Sequence, residues 1–449
     1  MNMINMKNIF FLLIALLLVS CDKFLDIQPT GKVIAKTGEE YRALLTGVYN
    51  TFPTDRSLTT LRTDELFVDG GGVTAEDYNT YFDIWTWNDI TPDEKTTSWS
   101  WRQFYHIIYI ASYVIDKQSE ITEASPADIN QLVGEAYMLR AYSYSILVNL
   151  FGKPYTKCDP TTELAVPLMV TPDVEMVIGR STVEAVYQQI LSDINMAKQK
   201  LVIDKWEDDL KYRFNKISAD ALLARVCLYM GRWQQALDAA KAVVAAYPEL
   251  EDLTTTSYTM PDKYTSKEAI VSLEQVMKSS YKGIGYPDAK FISSITTGDL
   301  RKNRYFKAKT SQIYDLLKGG ANECRSTFRS AEFYLTAAEA AARLGKLEEA
   351  IDLMSTMVKN RYLAARQTTT INSMKSMTQD QLIDFILEDR RVELCFEGHR
   401  WFDLRRTTQQ KIVKTFSDVT YTLEEGDNRY TIVIPREAIS ANPMLSQEK

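Results

Sequence analysis

Helical periodicity dominates the chain, broken by long stretches in which apolar and polar positions follow no period. Ser125-Pro126-Ala127-Asp128 has the form of an N-cap, a first-turn proline and an early acid. The positions that follow, QLVGEAYMLRAYSYSILVNLF, predict a helix ending at Phe151. Ser181 with Glu184, and Thr378 with Gln381, fit capping boxes ahead of STVEAVYQQILSDINMAKQKL and TQDQLIDFILEDRRVELCF. Trp101-Arg102-Gln103-Phe104-Tyr105 begins a further helix, with Trp101 and Tyr105 expected in the core. Between these segments, residues 50–98, 152–180, 251–330 and 407–435 read as irregular. Compact domains seldom keep loops this long without using them, so these are the expected binding surfaces and the helices the scaffold.

Two helical segments repeat. Residues 218–248 read SADALLARVCLYMGRWQQALDAAKAVVAAYP and residues 332–361 read EFYLTAAEAAARLGKLEEAIDLMSTMVKNR. With Gly231 set on Gly345, Leu223 falls on Ala337, Trp233 on Leu347, Ala236 on Ala350 and Ala240 on Met354. This is the tetratricopeptide pattern, in which glycine permits a tight turn and alanine lets two helix backbones approach. Pro248 closes the first unit. The fold class expected is all-α dominated, with tetratricopeptide-like helix pairs and an irregular, loop-rich lobe.

The apolar run Ile9–Val19 has eleven residues, whereas a helix that crosses a bilayer takes roughly 20. With Lys7 ahead of it, the run has the form of an export signal. Leu18-Val19-Ser20-Cys21 resembles the lipobox of bacterial lipoproteins, which implies acylation of the Cys21 thiol, cleavage before it and a mature chain starting there. Residues 1–20 are the expected signal, followed by an N-terminal region over 21–210 and a C-terminal region with the repeats over 211–449. Removing the signal takes away one lysine and no acid, leaving 51 basic against 59 acidic residues, a balance of −8. That balance argues against nucleic acid as a partner and against polybasic attachment to lipid. Cys158, Cys227, Cys324 and Cys395 form no C-x-x-C, and no essential disulfide is expected. With only His106 and His399 in the chain, a histidine-rich metal site is not expected either, and no cofactor is implied.

Four further stretches resemble the SusD/RagB family of Bacteroidetes outer-membrane lipoproteins: RAYSYSILVNLFGKPY (Arg140–Tyr155), FRSAEFYLTAAEAAARLGKLEEAI (Phe328–Ile351), RRVELCFEGHRWFDLRR (Arg390–Arg406) and IPREAISANPMLSQ (Ile434–Gln447). With CDKFLDIQP at the start, they occur in family order from residue 21 to the end. The resemblance implies a lipid-anchored cell-surface protein that binds a nutrient, usually a glycan, and sits as a lid on a TonB-dependent transporter of the SusC type. It also implies a helical fold with the ligand site on the irregular lobe. The chain departs from the pattern in being short, in the modest length of its 251–330 connection, and in Met354-Ser355 where an asparagine is expected.

Sugar faces present weakly polar C–H groups that stack on flat rings, while their hydroxyls take Asn, Asp and Arg. Residues 78–105, YNTYFDIWTWNDITPDEKTTSWSWRQFY, hold Trp85, Trp87, Asn88, Asp89, Trp99 and Trp101. From the resemblance, Trp87 with Asn88 is the ligand pair carried over, with Trp85 beside it. The alternation of Trp85 and Trp87 lays both rings on one buried side equally well. Tyr281 and Tyr286 of YKGIGYP flank two glycines and form a second candidate. Glu388, Glu393 and Glu397, read on one helix with Asp389 and Asp403, raise a glycosidase reading, since Glu393 and Glu397 are one turn apart. Arg390, Arg391, Arg400, Arg405 and Arg406 interleave with them, and internal ion pairs are the expected outcome. His399 and Trp401 are read as core, and Gly70-Gly71-Gly72 as a connector without a phosphate-loop lysine. The function expected is non-catalytic capture of glycan, against the alternative of a surface adhesin or tetratricopeptide scaffold that binds protein.

Overall fold

The computed structural model describes residues 35–69, 73–173 and 177–446. Cys21, the apolar run before it and Gly70-Gly71-Gly72 lie outside the described residues. Among the described residues no helix is long and apolar enough to cross a membrane.

The N-terminal half contributes α1 (Gly38–Asn50), α2 (Ala75–Trp85), α3 (Trp101–Asp116), α4 (Pro126–Phe151) and α5 (Val183–Lys200). After residue 210 come α6 (Lys216–Met230), α7 (Trp233–Ala246), α8 (Ser330–Arg343) and α9 (Leu347–Arg361). Then come α10 (Ala364–Lys375), α11 (Gln379–Glu393) and α12 (Arg400–Arg406), and short helices of four to six residues lie in the connections, the last at Arg436–Ala441. Consecutive packing of α3, α4, α5, α6, α7, α8 and α9 makes one row, with α11 laid on α8. The row runs across residue 210 without a gap, because α5 and α6 pack on each other.

The repeat turns are built as the pattern requires. Gly231 and Gly345 sit at φ +70° and +75°, a left-handed backbone that glycine adopts without a Cβ clash. Ala236, Ala240, Ala350 and Met354 are fully buried where the paired helices meet. Ser125 caps α4 by accepting from the Asp128 amide at 3.1 Å, and Thr378 with Gln381 forms the expected capping box on α11. The α5 cap differs: Thr182, not Ser181, accepts from the Ala185 amide. Ser181 is held by its backbone, which pairs with Ala165 and Val166.

Strands are short and come in four antiparallel pairs: β1 (Leu66–Phe67), β2 (Ala269–Val271), β3 (Tyr286–Pro287), β4 (Phe306–Ala308), β5 (Tyr314–Leu316), β6 (Phe328–Arg329), β7 (Ile412–Phe416) and β8 (Val419–Leu423). β1 joins β3, β2 joins β6, β4 joins β5, and β7 joins β8. These pairs organise the stretches that read as irregular. α2 also lies in one of them, capped by Thr74 accepting from the Asp77 amide at 3.0 Å.

RRVELCFEGHRWFDLRR is not one helix. α11 stops at Glu393, and Phe396 and Gly398 take φ of +61° and +74° before α12 starts. Gly398 packs so closely on the Arg56 backbone that a Cβ there would overlap the Arg56 carbonyl oxygen.

Candidate functional site

α2 stands at the centre of the irregular lobe, and aromatic rings gather on both flanks. On its own surface Tyr78 and Phe82 are half-buried and stacked, with centroids 4.3 Å apart. The β7–β8 hairpin packs over them from one side. Its register sets Lys414 opposite Tyr421 and Phe416 opposite Val419, so alternate residues of both strands share the face toward α2. Phe416 and Tyr421 thereby lie 5.1 and 5.6 Å from the Phe82 ring. On the other flank β1 and β3 pair Phe67 with Tyr286, whose rings are 6.0 Å apart. Tyr281 reaches back to α2 through an edge contact with Tyr81 at 5.4 Å. The half-buried rings of Phe67, Tyr78, Phe82, Tyr286, Phe416 and Tyr421 are the aromatic surface this lobe presents.

The residues expected to hold a ligand are distributed differently. Trp85 is fully buried and donates its indole N–H to the Leu66 carbonyl at 3.2 Å. Trp87 is 1% exposed and donates to the Arg62 carbonyl at 2.9 Å. Lys414 lies 4.3 Å above the Trp87 ring and 5.0 Å from that of Trp85, and donates to the Leu61 and Trp85 carbonyls, both at 2.9 Å. Burial, with the Arg62 charge adding, holds this ammonium well below the usual lysine range. The expectation that Trp85 and Trp87 stack on a ligand is therefore corrected to core packing, because neither indole has a face open to solvent.

Asn88 is half-buried, and its amide closes a turn, donating to Asp83 and Thr91 and accepting from Thr91. It also lines a shallow hollow of about 110 Å³ with Trp99 and Arg436. Tyr281 is buried with its hydroxyl 3.0 Å from that of Thr54. Of the expected aromatic residues only Tyr286 stays half-exposed. Phe67, Tyr78, Phe82, Phe416 and Tyr421 escaped the sequence reading. The signal for two of them was there: IVKTFSDVTYTL alternates on both sides of Ser417-Asp418, a turn in which both residues take positive φ.

Of the carboxylates of the glycosidase reading, Glu393 and Glu397 are fully buried, Asp389 and Asp403 nearly so, and Glu388 is exposed. Glu393 binds Arg301, Arg329 and Arg361 at 3.1, 2.8 and 2.9 Å. Glu397 binds Arg329 at 2.9 Å and is also paired with Lys318. Burial alone pushes these carboxyls up, but the surrounding cations win, holding Glu397 at about 2 and Glu393 well below its ordinary value. Internal ion pairs are the outcome, and the interleaved arginines supply some of them, Arg391 binding Glu388 at 3.3 Å, while Glu393 and Glu397 take their partners from other parts of the chain. Arg390 and Arg406 bind Asp403, Arg391 and Arg400 bind Asp64, and Arg405 donates to the Tyr430, Asn149 and Gly152 carbonyls. His399 is buried with Nε2 3.2 Å from Arg56, and burial followed by that charge keeps it well below the usual histidine range. Trp401 stacks on Tyr430 at 5.0 Å. Both are core residues, as expected.

Comparison with known proteins agrees along the whole row and lobe. A family model described as starch-binding and associating with the outer membrane matches residues 23–228, and one described as the SusD family matches residues 241–448. The SusD-like proteins P38 and P2 of Formosa agariphila are each 25% identical, over 90% and 88% of this chain and 92% and 89% of their own lengths. A SusD superfamily structure from Bacteroides thetaiotaomicron superposes with a TM-score of 0.75 at 22% identity, covering 92% of this chain and 100% of its own. A laminarin-binding SusD-like protein gives a TM-score of 0.59 at 21% identity, over 83% of this chain and 92% of its own. With two models of one family matching the two halves in order, and its helical architecture throughout, the chain belongs to the SusD family.

Proposed function

We propose that this chain is a glycan-binding surface lipoprotein of the outer membrane, anchored through Cys21, that holds oligosaccharide and delivers it to a partner TonB-dependent transporter of the SusC type. Family membership over both halves supports the reading, and a laminarin-binding protein among the structural relatives supports a saccharide as the ligand. The observation that carries it on this chain is the set of half-buried rings around α2. Flat apolar faces bordered by water suit the C–H face of a pyranose, as aromatic anchors suit ligand sites generally. Glu393 and Glu397 are enclosed among cations and have no route to a glycosidic bond, which favours capture over hydrolysis.

The test is titration of the intact protein with laminarin, starch and mannan oligosaccharides, repeated on the Tyr78→Ala, Tyr421→Ala double variant. A saccharide that binds the native protein is expected to bind the variant roughly tenfold more weakly, the loss of about 1.4 kcal/mol typical of one aromatic anchor. Unchanged affinity removes the α2 face from the reading. Binding of peptides and of no saccharide favours the adhesin alternative, and release of shortened products restores the glycosidase.

A further inference from the structure

A second cleft, sharing no residue with the α2 aromatic face, has the chemistry of a carbohydrate site. It opens where the end of α1 meets the α5–α6 connection and the segment flanking β2, and has a volume of about 350 Å³. That lies at the lower end of the roughly 300–1,000 Å³ usual for small-ligand sites. Tyr212 and Tyr264, both half-buried, supply ring surface, and Tyr212 is fixed by an edge contact with buried Tyr49 at 5.4 Å. Asn50, Asp209 and Arg325 also line the cleft.

Two features separate this cleft from an ordinary surface dent. Arg325 donates Nε–H and Nη1–H to the Asn322 and Leu273 carbonyls, at 2.9 and 3.0 Å, and has no carboxylate partner among the described residues. Burial pulls its charge below the usual arginine range. Ser272, at the cleft floor, is 2% exposed, and its Oγ has no hydrogen-bond partner, so a buried donor and acceptor is left over. Buried hydroxyls are satisfied in the large majority of cases, and leaving one unpaired costs about 1–3 kcal/mol. A group seated in the cleft satisfies it.

The charges of the lining decide the class of ligand. Asp208 is paired with Lys211 at 2.7 Å, which leaves Asp209 against Arg325 and no net charge. An anionic sugar would meet Asp209, and a cationic one Arg325. From these residues we infer that the Tyr212–Tyr264 cleft binds a ring of a neutral oligosaccharide, a second carbohydrate subsite apart from the α2 face. The choice of saccharide rests on the glycan-binding reading above.

The experiment uses the intact protein with laminarihexaose, maltohexaose and mannohexaose, and with trigalacturonate as the anionic probe. Binding is read by calorimetry, and hydrogen exchange reports on residues 208–212 and 264–273. At least one neutral hexaose is expected to slow exchange in both segments. The Tyr212→Ala, Tyr264→Ala variant should lose roughly tenfold in affinity for it, or one of two binding steps, while Tyr78→Ala, Tyr421→Ala retains that protection. The exchange readout on the native protein holds even where the double variant fails to fold. Saccharide binding with no protection of 208–212 and 264–273 overturns the cleft and leaves the glycan-binding reading standing. Protection by trigalacturonate alone overturns the neutral class. Absence of binding by every hexaose overturns the cleft, and binding of starch or mannan polymer in the same series keeps the broader reading distinct from it.

Discussion

Trp87 holds a φ of +60°, a region bulky side chains rarely adopt at a cost of order 1–3 kcal/mol, and its surroundings over-determine it. The indole N–H is bonded to Arg62, the ring lies under Lys414, and the neighbouring Asp89 carboxylate is clamped by Arg62 at 2.7 Å. Trp87→Ala is therefore expected to cost about 3–5 kcal/mol of stability, seen as an early thermal melt with or without saccharide. A normal melt with lost affinity would instead restore the ligand role. Alternation of Trp85 and Trp87 was legible in the sequence, but whether it faced core or ligand was not. What decides is Lys414, supplied by a strand far along the chain. Glu65 gives a second prediction. Burial first, and then the neighbouring Asp64 charge, push this carboxyl up to about 8, and its Oε1 has no partner. An acid with a raised folded value keeps its proton while the unfolded chain has lost it, so stability falls as pH rises from the ordinary 4.5 to about 8. Glu65→Gln removes that slope. Relative to the native protein the variant should gain on the order of a few kcal/mol at pH 8 and little at pH 4, measured by denaturant melts at both values.

The helices were legible wherever local chemistry alone defines them: α4 by its cap and first-turn proline, α11 by its capping box, and the two repeats by glycine and alanine at fixed offsets. Strands β1, β2, β3 and β6 were not. Each has two or three residues, too few for a period of two to register, and each pairs with a partner distant in sequence. The break between α11 and α12 was missed for a related reason. Gly398 followed by a run of Arg, Trp and Phe reads as helix, and only its close approach to the Arg56 backbone explains why the chain turns there. This contrast can be measured. Gly345 has open space where a Cβ would go, so Gly345→Ala should cost only the strain of a left-handed alanine, about 1–2 kcal/mol. Gly398→Ala carries the same strain and an overlap with backbone that cannot move aside, so its loss should be clearly larger, on the scale of a severe core defect of about 4 kcal/mol or more. Equal losses in the two variants would mean that the α11–α12 turn yields easily.

At the scale of the whole molecule, a buried ionic network joins the helical row to the loop lobe. Arg361 of α9 and Glu393 of α11 meet Arg301, Arg329 and Glu268 from the 251–330 connection, so that connection is held from both ends. Breaking one partner of such a network leaves a buried charge uncompensated, which makes the lobe a fixed platform for the rings around α2. Attachment of that platform to the cell is a separate matter. Among the described residues no helix is long and apolar enough to span a bilayer, and a net charge of −7 offers no attraction to anionic lipid. On the proposed reading the anchor is then the acyl chains on Cys21, and two or three chains at about 0.8 kcal/mol per buried methylene hold where a single one binds only marginally. Cys21→Ala is expected to abolish labelling by palmitate and to move the protein out of the outer-membrane fraction, while leaving the folded body and its saccharide affinity unchanged. A normal melt of the variant separates a loss of membrane association from misfolding. A variant that still takes up palmitate and still sediments with outer membrane would show that another segment carries the anchor.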